Sequence, residues 1–383
     1  MNKQPVKKTT QGQPSWRFAS DTVEAFIAEQ GGHMGPVTFD RRNRKIQPLS
    51  VAPWAKEKID PSLPPLLKVL RGDFFCMPFG DNQKPYRGEQ HPPHGETANG
   101  VWRMKGIKKD GDRTTAHLSL RSKVRAGKTD KLITLVDGHD AVYCRHVISG
   151  MSGPMNLGHH AMLKFPEGEE GGVVSTSGFK LGQVFPFGFE DPANGGYSIL
   201  KPGATFKSLA SVPTITGEKT DLSRYPARRG FEDLVQMLND PSAKMAWTAV
   251  TFPKQRYVWF AIKDPRVLTG TIFWLSNGGR HYEPWNGRHV GVLGLEEVTS
   301  YFHMGLAQAA AANPFTKKGF VTALRLKPNK PLTINYIMAT ATIPAGFDRT
   351  KSIVVDRGQA TLKADSGKKV VVPLDGDFLY GSA

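Results

Sequence analysis

Residues 132–149 read LITLVDGHDAVYCRHVIS, and this stretch decides the fold class. Two largely apolar runs, 132–136 and 141–149, flank the turn sequence DGHD, in which Asp-Gly favours a tight reversal between strands. The same arrangement recurs at 101–122, around KKDGDR, and at 34–50, around RRN. Many further short runs of this kind follow along the chain. We therefore predict an all-β protein built from antiparallel strands.

The composition agrees with a protein of strands and turns. The chain of 383 residues contains 40 glycines and 28 prolines, a density of turn formers that argues against a helical bundle. A hydrophobic fraction of 39% suffices for a sizeable core. The sequence shows no βαβ alternation, no glycine-rich phosphate loop and no repeat of fixed period. We expect a large antiparallel β-sandwich with few short helices.

The sandwich is predicted as a single domain over residues 15–383, preceded by a flexible basic tail over 1–14. Residues 347–383 are expected to add strands at its edge. Two stretches favour helix. Residues 229–240 place apolar side chains at Phe231, Leu234 and Leu238, a helical spacing. Residues 296–313 favour a helix near their end, before Asn313-Pro314.

The distribution of charge and the number of cysteines restrict the partners and the location that we expect for this protein. The net charge of +17 is scattered, apart from RRNRK at 41–45 and the amino-terminal lysines, and no basic stripe alternates with aromatic residues. We therefore expect no nucleic-acid partner. Only Cys76 and Cys144 are present, without a CxxC pair, which favours a reducing cytoplasm and argues against a cysteine-based zinc site. With no apolar run of membrane-helix length and no signal-peptide pattern, we expect a cytoplasmic protein without a membrane partner.

Residues 70–102 form the first of three polar segments with candidate chemistry. This long run between strands carries Arg71, Asp73, His91, His94, Glu96 and Asn99. Long loops inside compact domains are often functional. The alternative interpretation is a polar loop that closes the edge of the sandwich.

The second segment, MNLGHHAMLKFP at 155–166, contains a histidine doublet. In a strand, His159 shares a face with Ala161 and Leu163, whereas His160 points to the opposite face with Met162. The face with leucine is the better candidate for the core. We therefore predict that His160 faces a solvent-filled site and that His159 is structural.

The third segment, 276–300, ends in the run HVGVLGLEE. In a strand, Glu296 shares a face with Val292 and with Gly294, and a carboxylate there is costly to bury unless it is paired or functional. Gly291 and Gly294 leave room for a group that approaches the sheet. The alternative is that Glu296 or Glu297 begins a following helix, favoured by its dipole.

Five runs occur in the order seen in aldose 1-epimerases: GGHMGPVTF, LRGDFFCMPFG, HGETANGVW, GHHAMLKF and GVLGLEE. Over about residues 25–345 the chain resembles a divergent member of the galactose mutarotase-like superfamily, which implies the supersandwich fold of that superfamily. By this resemblance, Arg71 takes the place of an early arginine and His94 that of the histidine in an HG turn. His160 takes the place of the later histidine, with His159 as a rival. Glu296 takes the place of the glutamate in an LE pair, with Glu297 as a rival.

The resemblance implies interconversion of sugar anomers by proton transfer, without a cofactor. Glu296 would be the base and His160 the acid, His94 would bind the ring or anomeric oxygen, and Arg71 would bind sugar hydroxyls or an anionic substituent. Further candidates for substrate binding are Asp73, Asn99, Trp102 and Arg288, with Phe75 and Trp285 as stacking surfaces. The expected partner is a small carbohydrate, neutral or anionic. Two departures from the family weaken the assignment of hexose as substrate: no counterpart of its mid-chain aspartate is found, and the later histidine lacks the usual aromatic pair.

Two other functions are compatible with the sequence. One is a cupin-like metal enzyme with His91, His94, Glu96 and His160 as ligands, although two prolines separate the first histidine pair in a loop. The other is a carbohydrate-binding β-sandwich without catalysis, which the missing aspartate favours.

Overall fold

The computed structural model describes residues 5–166 and 171–381. Its strands are, in chain order, β1 (Val6–Thr10), β2 (Gln13–Ala19), β3 (Glu24–Ala28), β4 (Met34–Thr38), β5 (Phe75–Cys76), β6 (Arg103–Asp110), β7 (Arg113–Ser122), β8 (Gly127–Val136), β9 (Ala141–Ser149), β10 (Gly153–Met155), β11 (Leu157–His159), β12 (Ala161–Lys164), β13 (Gly172–Thr176), β14 (Phe179–Val184), β15 (Thr205–Phe206), β16 (Val212–Pro213), β17 (Lys219–Thr220), β18 (Arg224–Tyr225), β19 (Phe231–Asn239), β20 (Ala246–Phe252), β21 (Tyr257–Lys263), β22 (Gly270–Asn277), β23 (Val292–Thr299), β24 (Leu324–Leu326), β25 (Leu332–Thr342), β26 (Thr350–Asp356), β27 (Gln359–Ala364) and β28 (Lys369–Pro373). The α-helices within the described residues are short: α1 (Pro65–Lys68), α2 (Gly95–Asn99) and α3 (Leu306–Ala310). None of them is long and apolar enough to cross a membrane.

Two large antiparallel sheets form the sandwich. One has nine strands in the order β18-β13-β20-β21-β25-β9-β8-β7-β6, and the other has eight, in the order β15-β14-β19-β22-β23-β11-β5 with β12 paired to β23. Their facing sides bury one core, to which Leu163, Phe273 and Leu295 contribute from the eight-stranded sheet and Trp259 and Met338 from the nine-stranded sheet. The predicted all-β sandwich is therefore confirmed, and the hairpins at 101–122 and 132–149 are β6–β7 and β8–β9.

The carboxyl-terminal strands cover a face of the sandwich. β26, β27 and β28 form a sheet of their own, whose Ile353 and Leu362 pack on Phe260 and Ile337 of the nine-stranded sheet. The segment therefore supplies strands, as expected, but they lie on the outer face of the nine-stranded sheet. Burying a second apolar face there explains the apolar residues on both sides of β21 and β25.

The amino-terminal segment is ordered in sheet structure from Val6 onward. β1 pairs with β2 in a four-stranded sheet, β1-β2-β3-β4, so the prediction of a flexible tail over 1–14 is wrong for residues 6–14; residues 1–4 lie outside the described residues. The guanidinium of Arg71 donates hydrogen bonds to the carbonyl oxygens of Thr10 and Gln11 and anchors the turn between the two strands. The exposed Lys7 and Lys8 gave these strands the composition of a tail.

The helix expected over 229–240 is wrong, because these residues form β19 between β14 and β22. The spacing of its apolar residues fits a helix, but β19 is buried on both faces, and tertiary contacts override the local pattern. Its polar residues have partners: Trp274 Nε1 donates to Glu232 at 2.8 Å, and the backbone amide of Leu200 donates to Asp233 at 2.9 Å. In the second stretch, α3 lies near the end, as expected, but Glu296 and Glu297 lie in β23 and begin no helix.

Candidate active site

A cavity of about 260 Å³ lies on the outer face of the eight-stranded sheet. Aromatic and aliphatic side chains form most of its wall, and the polar groups are few and close together. The lining consists of Pro64, Leu66, Leu67, Leu70, Phe74, Pro93, His94, His160, Phe189, Leu234, Trp274, Arg280, Tyr282, Trp285, Glu296 and His303. An apolar wall with a few convergent polar groups is typical of a small-molecule site.

His160 and Glu296 form the polar centre of this cavity. His160 Nε2 lies 3.1 Å from Glu296 Oε1, and both side chains are almost fully buried. His160 lies between β11 and β12, and both of these strands pair with β23 in the same register. This register places His160 directly opposite Glu296. Cross-strand neighbours on one face have their Cβ atoms within roughly 5 Å, so strand pairing itself brings the two side chains together.

Gly294 provides the room for this pair. A Cβ atom at this position would lie 2.8 Å from Glu296 Oε1 and 3.1 Å from the Cβ of Trp274. The groups that approach the sheet here are therefore Trp274 and the Glu296 carboxylate. Gly291 has a different role, since its φ of +60° suits a residue without a side chain.

In each doublet, His159-His160 and Glu296-Glu297, the two side chains point to opposite faces of the eight-stranded sheet. His159 turns to the inner side of the sandwich, where its Nδ1 lies 2.9 Å from Asp73 Oδ2, and Glu297 turns the same way to pair with the buried Lys263. Thr248 and Thr271 donate hydrogen bonds to the Glu297 carboxylate at 2.6 and 2.7 Å. The interpretation of Glu297 as an exposed charge at a helix start is therefore wrong. His160 and Glu296 are the members that face the cavity.

His94 enters the cavity from the turn before α2. It adopts a left-handed conformation with φ of 57°, and Gly95 follows with φ of +75°. A Cβ atom on Gly95 would lie 1.9 Å from the carbonyl oxygen of Met77, so the HG sequence is required by this close approach. The His94 ring lies 5.2 Å from that of His160, centroid to centroid. Nδ1 of both rings is buried without a hydrogen-bond partner within the described residues.

Burial governs the protonation of these groups. It raises the pKa of Glu296 well above the usual value of 4.5, and together with the neighbouring His94 and His33 it lowers the pKa of His160 well below 6.5. Burial and the charge of Arg280 lower the pKa of His94 to about 4. Near neutral pH the contact between His160 and Glu296 therefore holds one shared proton, and His94 is neutral. Such a pair can accept a proton at one atom and deliver one from the other.

Arg280 supplies the cationic group of the cavity and was not predicted. Its Nε donates to Glu190 at 2.7 Å, and its guanidinium lies 4.7 Å from the Trp285 ring. Its terminal nitrogens make no hydrogen bond to any described residue. Glu232, at 3.9 Å, adds a second carboxyl group, whose pKa burial raises to about 7. An arginine held by its Nε presents its remaining donors to a ligand.

Sequence reasoning missed further residues of this wall. Trp274, Tyr282 and His303 line the cavity beside Arg280, and Tyr282 donates to Glu190 at 3.1 Å. The run GGRHYEPW at 278–285, dense in such side chains, was the available signal. Trp285, considered as a stacking surface, does line the cavity, whereas Phe75 packs on the inner side of the sheet.

The five predicted substrate-binding residues do not line this cavity. The guanidinium of Arg71 is buried against the backbone carbonyls of Val69, Thr10 and Gln11. Asp73 faces the inner side of the sheet with His159. In both cases the cause is the same: the side chain has partners beneath the sheet or at its edge, so the expected role in sugar binding does not fit its position.

The other three have structural contacts as well. Asn99 accepts a hydrogen bond from the backbone amide of Leu66 and donates to the carbonyl oxygens of Pro93 and Gly95. The indole of Trp102 is fully buried and donates to the carbonyl oxygen of Thr97. Arg288 makes a two-pronged ion pair with Glu57, at 2.7 Å from each oxygen.

The metal ligands expected for a cupin-like enzyme do not assemble. His91 pairs with Glu89 at 3.0 Å, and Glu96 accepts hydrogen bonds from the backbone amides of Lys123 and Val124. Only His94 and His160 of that set share the cavity. The geometry therefore argues against this alternative.

Comparison with known proteins identifies the fold. No protein-family model matches the chain, and a search of curated proteins found no match. Among solved structures, a galactose mutarotase-like protein from Clostridium acetobutylicum is similar at 13% identity, with a TM-score of 0.56 and coverage of 89% of this chain and 99% of that one. A galactose mutarotase-like protein from Lactobacillus casei is similar at 12% identity, with a TM-score of 0.55 and coverage of 85% and 100%. A galactose mutarotase related enzyme from Lactobacillus acidophilus is similar at 12% identity, with a TM-score of 0.53 and coverage of 86% and 99%. The resemblance noted in the sequence is thus confirmed for the fold, and the chain is a divergent protein with the galactose mutarotase-like β-sandwich architecture.

Proposed function

We propose that the protein is an isomerase of the aldose 1-epimerase type, which interconverts the anomers of a small sugar or sugar derivative. The observation that carries this proposal is the buried contact between His160 and Glu296 at the centre of the cavity. The contact joins a base and an acid that share one proton. Anomer exchange needs a base at the anomeric hydroxyl and an acid at the ring oxygen, and both of these oxygens are bonded to C1.

The reaction uses both ends of the pair. A sugar that enters the cavity replaces the direct contact, so that its anomeric hydroxyl binds Glu296 and its ring oxygen binds His160. Burial favours the shared proton on Glu296 in the empty cavity, and in the reactive form this proton has moved to His160. The Glu296 carboxylate then takes the hydroxyl proton while the His160 imidazolium protonates the ring oxygen, and the C1–O5 bond breaks to give the open-chain aldehyde. Rotation about C1–C2 and the reverse transfers close the ring with the other configuration. Low polarity favours these transfers because no bulk water competes.

His94 is proposed to hydrogen-bond the oxygen at which charge develops. Because its pKa lies near 4, it stays neutral at pH 7 and adds no charge next to the His160 imidazolium. Its ring lies edge-on to Phe79, 5.1 Å between centroids, so its orientation is fixed by packing. A fixed neutral donor stabilises developing charge without reorganisation.

The walls restrict the size and character of the substrate. Ligand cavities for drug-sized molecules span roughly 300–1,000 Å³, so about 260 Å³ suits a single sugar ring. Trp274 and Trp285 offer aromatic faces to the apolar side of a sugar. Arg280 is proposed to bind a hydroxyl or an anionic substituent through its free terminal nitrogens, the role the sequence had suggested for Arg71.

The test is direct measurement of anomer exchange by magnetisation-transfer NMR on a panel of hexoses, hexuronates, sugar phosphates and sulfonated sugars. We expect at least one sugar whose anomeric protons exchange faster with the protein than in buffer, and whose exchange is lost in Glu296→Gln. Sugars that bind without any gain in exchange would replace this proposal by a non-catalytic carbohydrate-binding protein.

A further inference from the structure

A second group of reactive side chains lies on the inner side of the eight-stranded sheet, behind the His160–Glu296 pair. Asp73, Cys144 and His159 each place a ligand-type atom within 4.8 Å of the other two, and all three are buried. Asp73 and His159 belong to the eight-stranded sheet and its leading segment, whereas Cys144 projects from β9 of the nine-stranded sheet. The group therefore spans both layers of the sandwich.

Several polar atoms around this group have no hydrogen-bond partner within the described residues. They are Asp73 Oδ1, His159 Nε2, both ring nitrogens of His146 and the Tyr336 hydroxyl. The His146 and Tyr336 rings lie 5.0 and 4.3 Å from that of His159, centroid to centroid. A buried polar group without a hydrogen-bond partner destabilises the folded state. The unpaired atoms on Asp73 and His159, beside the Cys144 sulfur, indicate a missing partner that accepts electron pairs.

We propose that Asp73, Cys144 and His159 form a binding site for a divalent transition-metal ion of the zinc type. A thiolate, an imidazole nitrogen and a carboxylate oxygen are the three donor types that zinc takes in proteins. These three side chains leave the fourth position of a tetrahedral ion to a ligand from outside the group. With every candidate ligand buried, the site has the character of a structural zinc site.

The charges around the site permit this ion. Binding converts the Cys144 thiol to a thiolate and releases its proton, so the ion, the thiolate and the Asp73 carboxylate sum to zero. The ammonium group of Lys131 is held away from the site by other partners: its Nζ donates to the carbonyl oxygen of Gly32 at 2.6 Å and lies 4.8 Å from the Trp102 ring.

Such an ion would join the two sheets directly beneath His160. The ligands lie on three separate segments, which is why the sequence, without a CxxC pair, gave no sign of the site. The inference does not depend on the proposed isomerase activity, because none of the three ligands lines the cavity.

The two cysteines provide a matched pair of variants. Both are fully buried, but Cys76 packs with the cavity-side cluster and Cys144 with the sandwich core. Cys144→Ser and Cys76→Ser introduce the same hydroxyl at equal burial. In untagged protein we expect about one zinc ion per chain by elemental analysis, retained in Cys76→Ser and lost or reduced at least tenfold in Cys144→Ser.

Cobalt substitution makes the thiolate visible. Protein unfolded with a chelator and refolded with Co²⁺ should show a sulfur-to-cobalt charge-transfer band in the near ultraviolet and the strong visible bands of a tetrahedral ion. Cys76→Ser should keep these bands, and His159→Gln, which preserves Cys144, should weaken them. If the wild-type protein, refolded in excess zinc or cobalt, holds no ion and shows no such band, the proposal is refuted and ordered water or direct contacts satisfy the cluster. An ion that persists unchanged in Cys144→Ser would refute it equally.

Discussion

Exchanging Glu296 or Glu297 for glutamine tests whether these adjacent residues, on opposite faces of β23, have separate roles. Glu296 faces the cavity and Glu297 faces the sandwich core, and both are at most 2% exposed. Glu296→Gln keeps the shape of the side chain but removes the proton acceptor. We expect turnover in anomer exchange to fall by about 10²-fold or more, the usual contribution of a general base.

The same two variants should have opposite effects on stability. The pKa of Glu296 is raised in the folded state, so the folded protein binds more protons than the unfolded chain above pH 4.5, and Glu296 lowers stability as pH rises through that window. Its removal should therefore stabilise the protein at pH 7 more than at pH 4. Glu297→Gln leaves Lys263 without its partner in the core, which costs about 3–5 kcal/mol.

The assay combines magnetisation-transfer NMR for exchange with thermal unfolding from pH 4 to 8. Glu296→Gln should unfold at a higher temperature than wild type at pH 7–8 and be nearly inactive, whereas folded Glu297→Gln should unfold earlier and keep the exchange rate per folded molecule. Retained exchange in Glu296→Gln would refute its role as base. Loss of exchange in Glu297→Gln below its unfolding temperature would show that the assignment of faces is wrong.

Four further predictions use other parts of the structure. Gly294→Ala should reduce exchange by at least tenfold, since its Cβ would lie 2.8 Å from Glu296 Oε1; Gly106→Ala, in a strand with nothing within 4 Å of the added atom, is the neutral control for the same assay. Arg280→Lys keeps the charge but loses the planar fork, so KM for the preferred sugar should rise by about tenfold with a smaller change in kcat; equal KM in both proteins would exclude a role for Arg280 in binding. Burial lowers the pKa of His303 to about 3, so the unfolded chain binds more protons at this position below pH 6.5; the stability of His303→Gln relative to wild type should therefore rise as pH drops from 6.5 to 4, and a difference in denaturant midpoint that does not change with pH would contradict a neutral buried His303. Limited proteolysis should yield no pair of stable halves from residues 15–383, and recovery of two such halves would contradict a single domain.

The fold could be predicted because its signal is local. Asp-Gly turns between short apolar runs specify hairpins such as β8–β9 without knowledge of the rest of the chain. β19 marks the limit of such reasoning. Its apolar spacing fits a helix, and only the burial of both its faces, which depends on β14 and β22, makes it a strand.

The site was predictable where strand alternation fixes a direction. Alternation alone placed His160 on the face opposite to the core, and the structure places it there, beside Glu296. It could not place residues outside regular strands. Arg71 lies in a segment whose contacts are set by the turn between β1 and β2, which the sequence presented as a tail. Arg280 follows β22 in a loop and reaches the cavity through its ion pair with Glu190, ninety positions away in the chain.

The pairing of the two doublets follows from a single register. β23 runs antiparallel to β11 and β12 with Gly158 opposite Val298 and Ala161 opposite Leu295, so the residues between them, His159 and His160, face Glu297 and Glu296. A shift by one residue would place His160 opposite Leu295 or Glu297 and turn the core leucines of β23 away from the apolar core. The leucines of β23 that pack between the sheets therefore hold His160 and Glu296 in register, although these leucines do not line the cavity. The packing that stabilises the core therefore also keeps His160 Nε2 and Glu296 Oε1 3.1 Å apart.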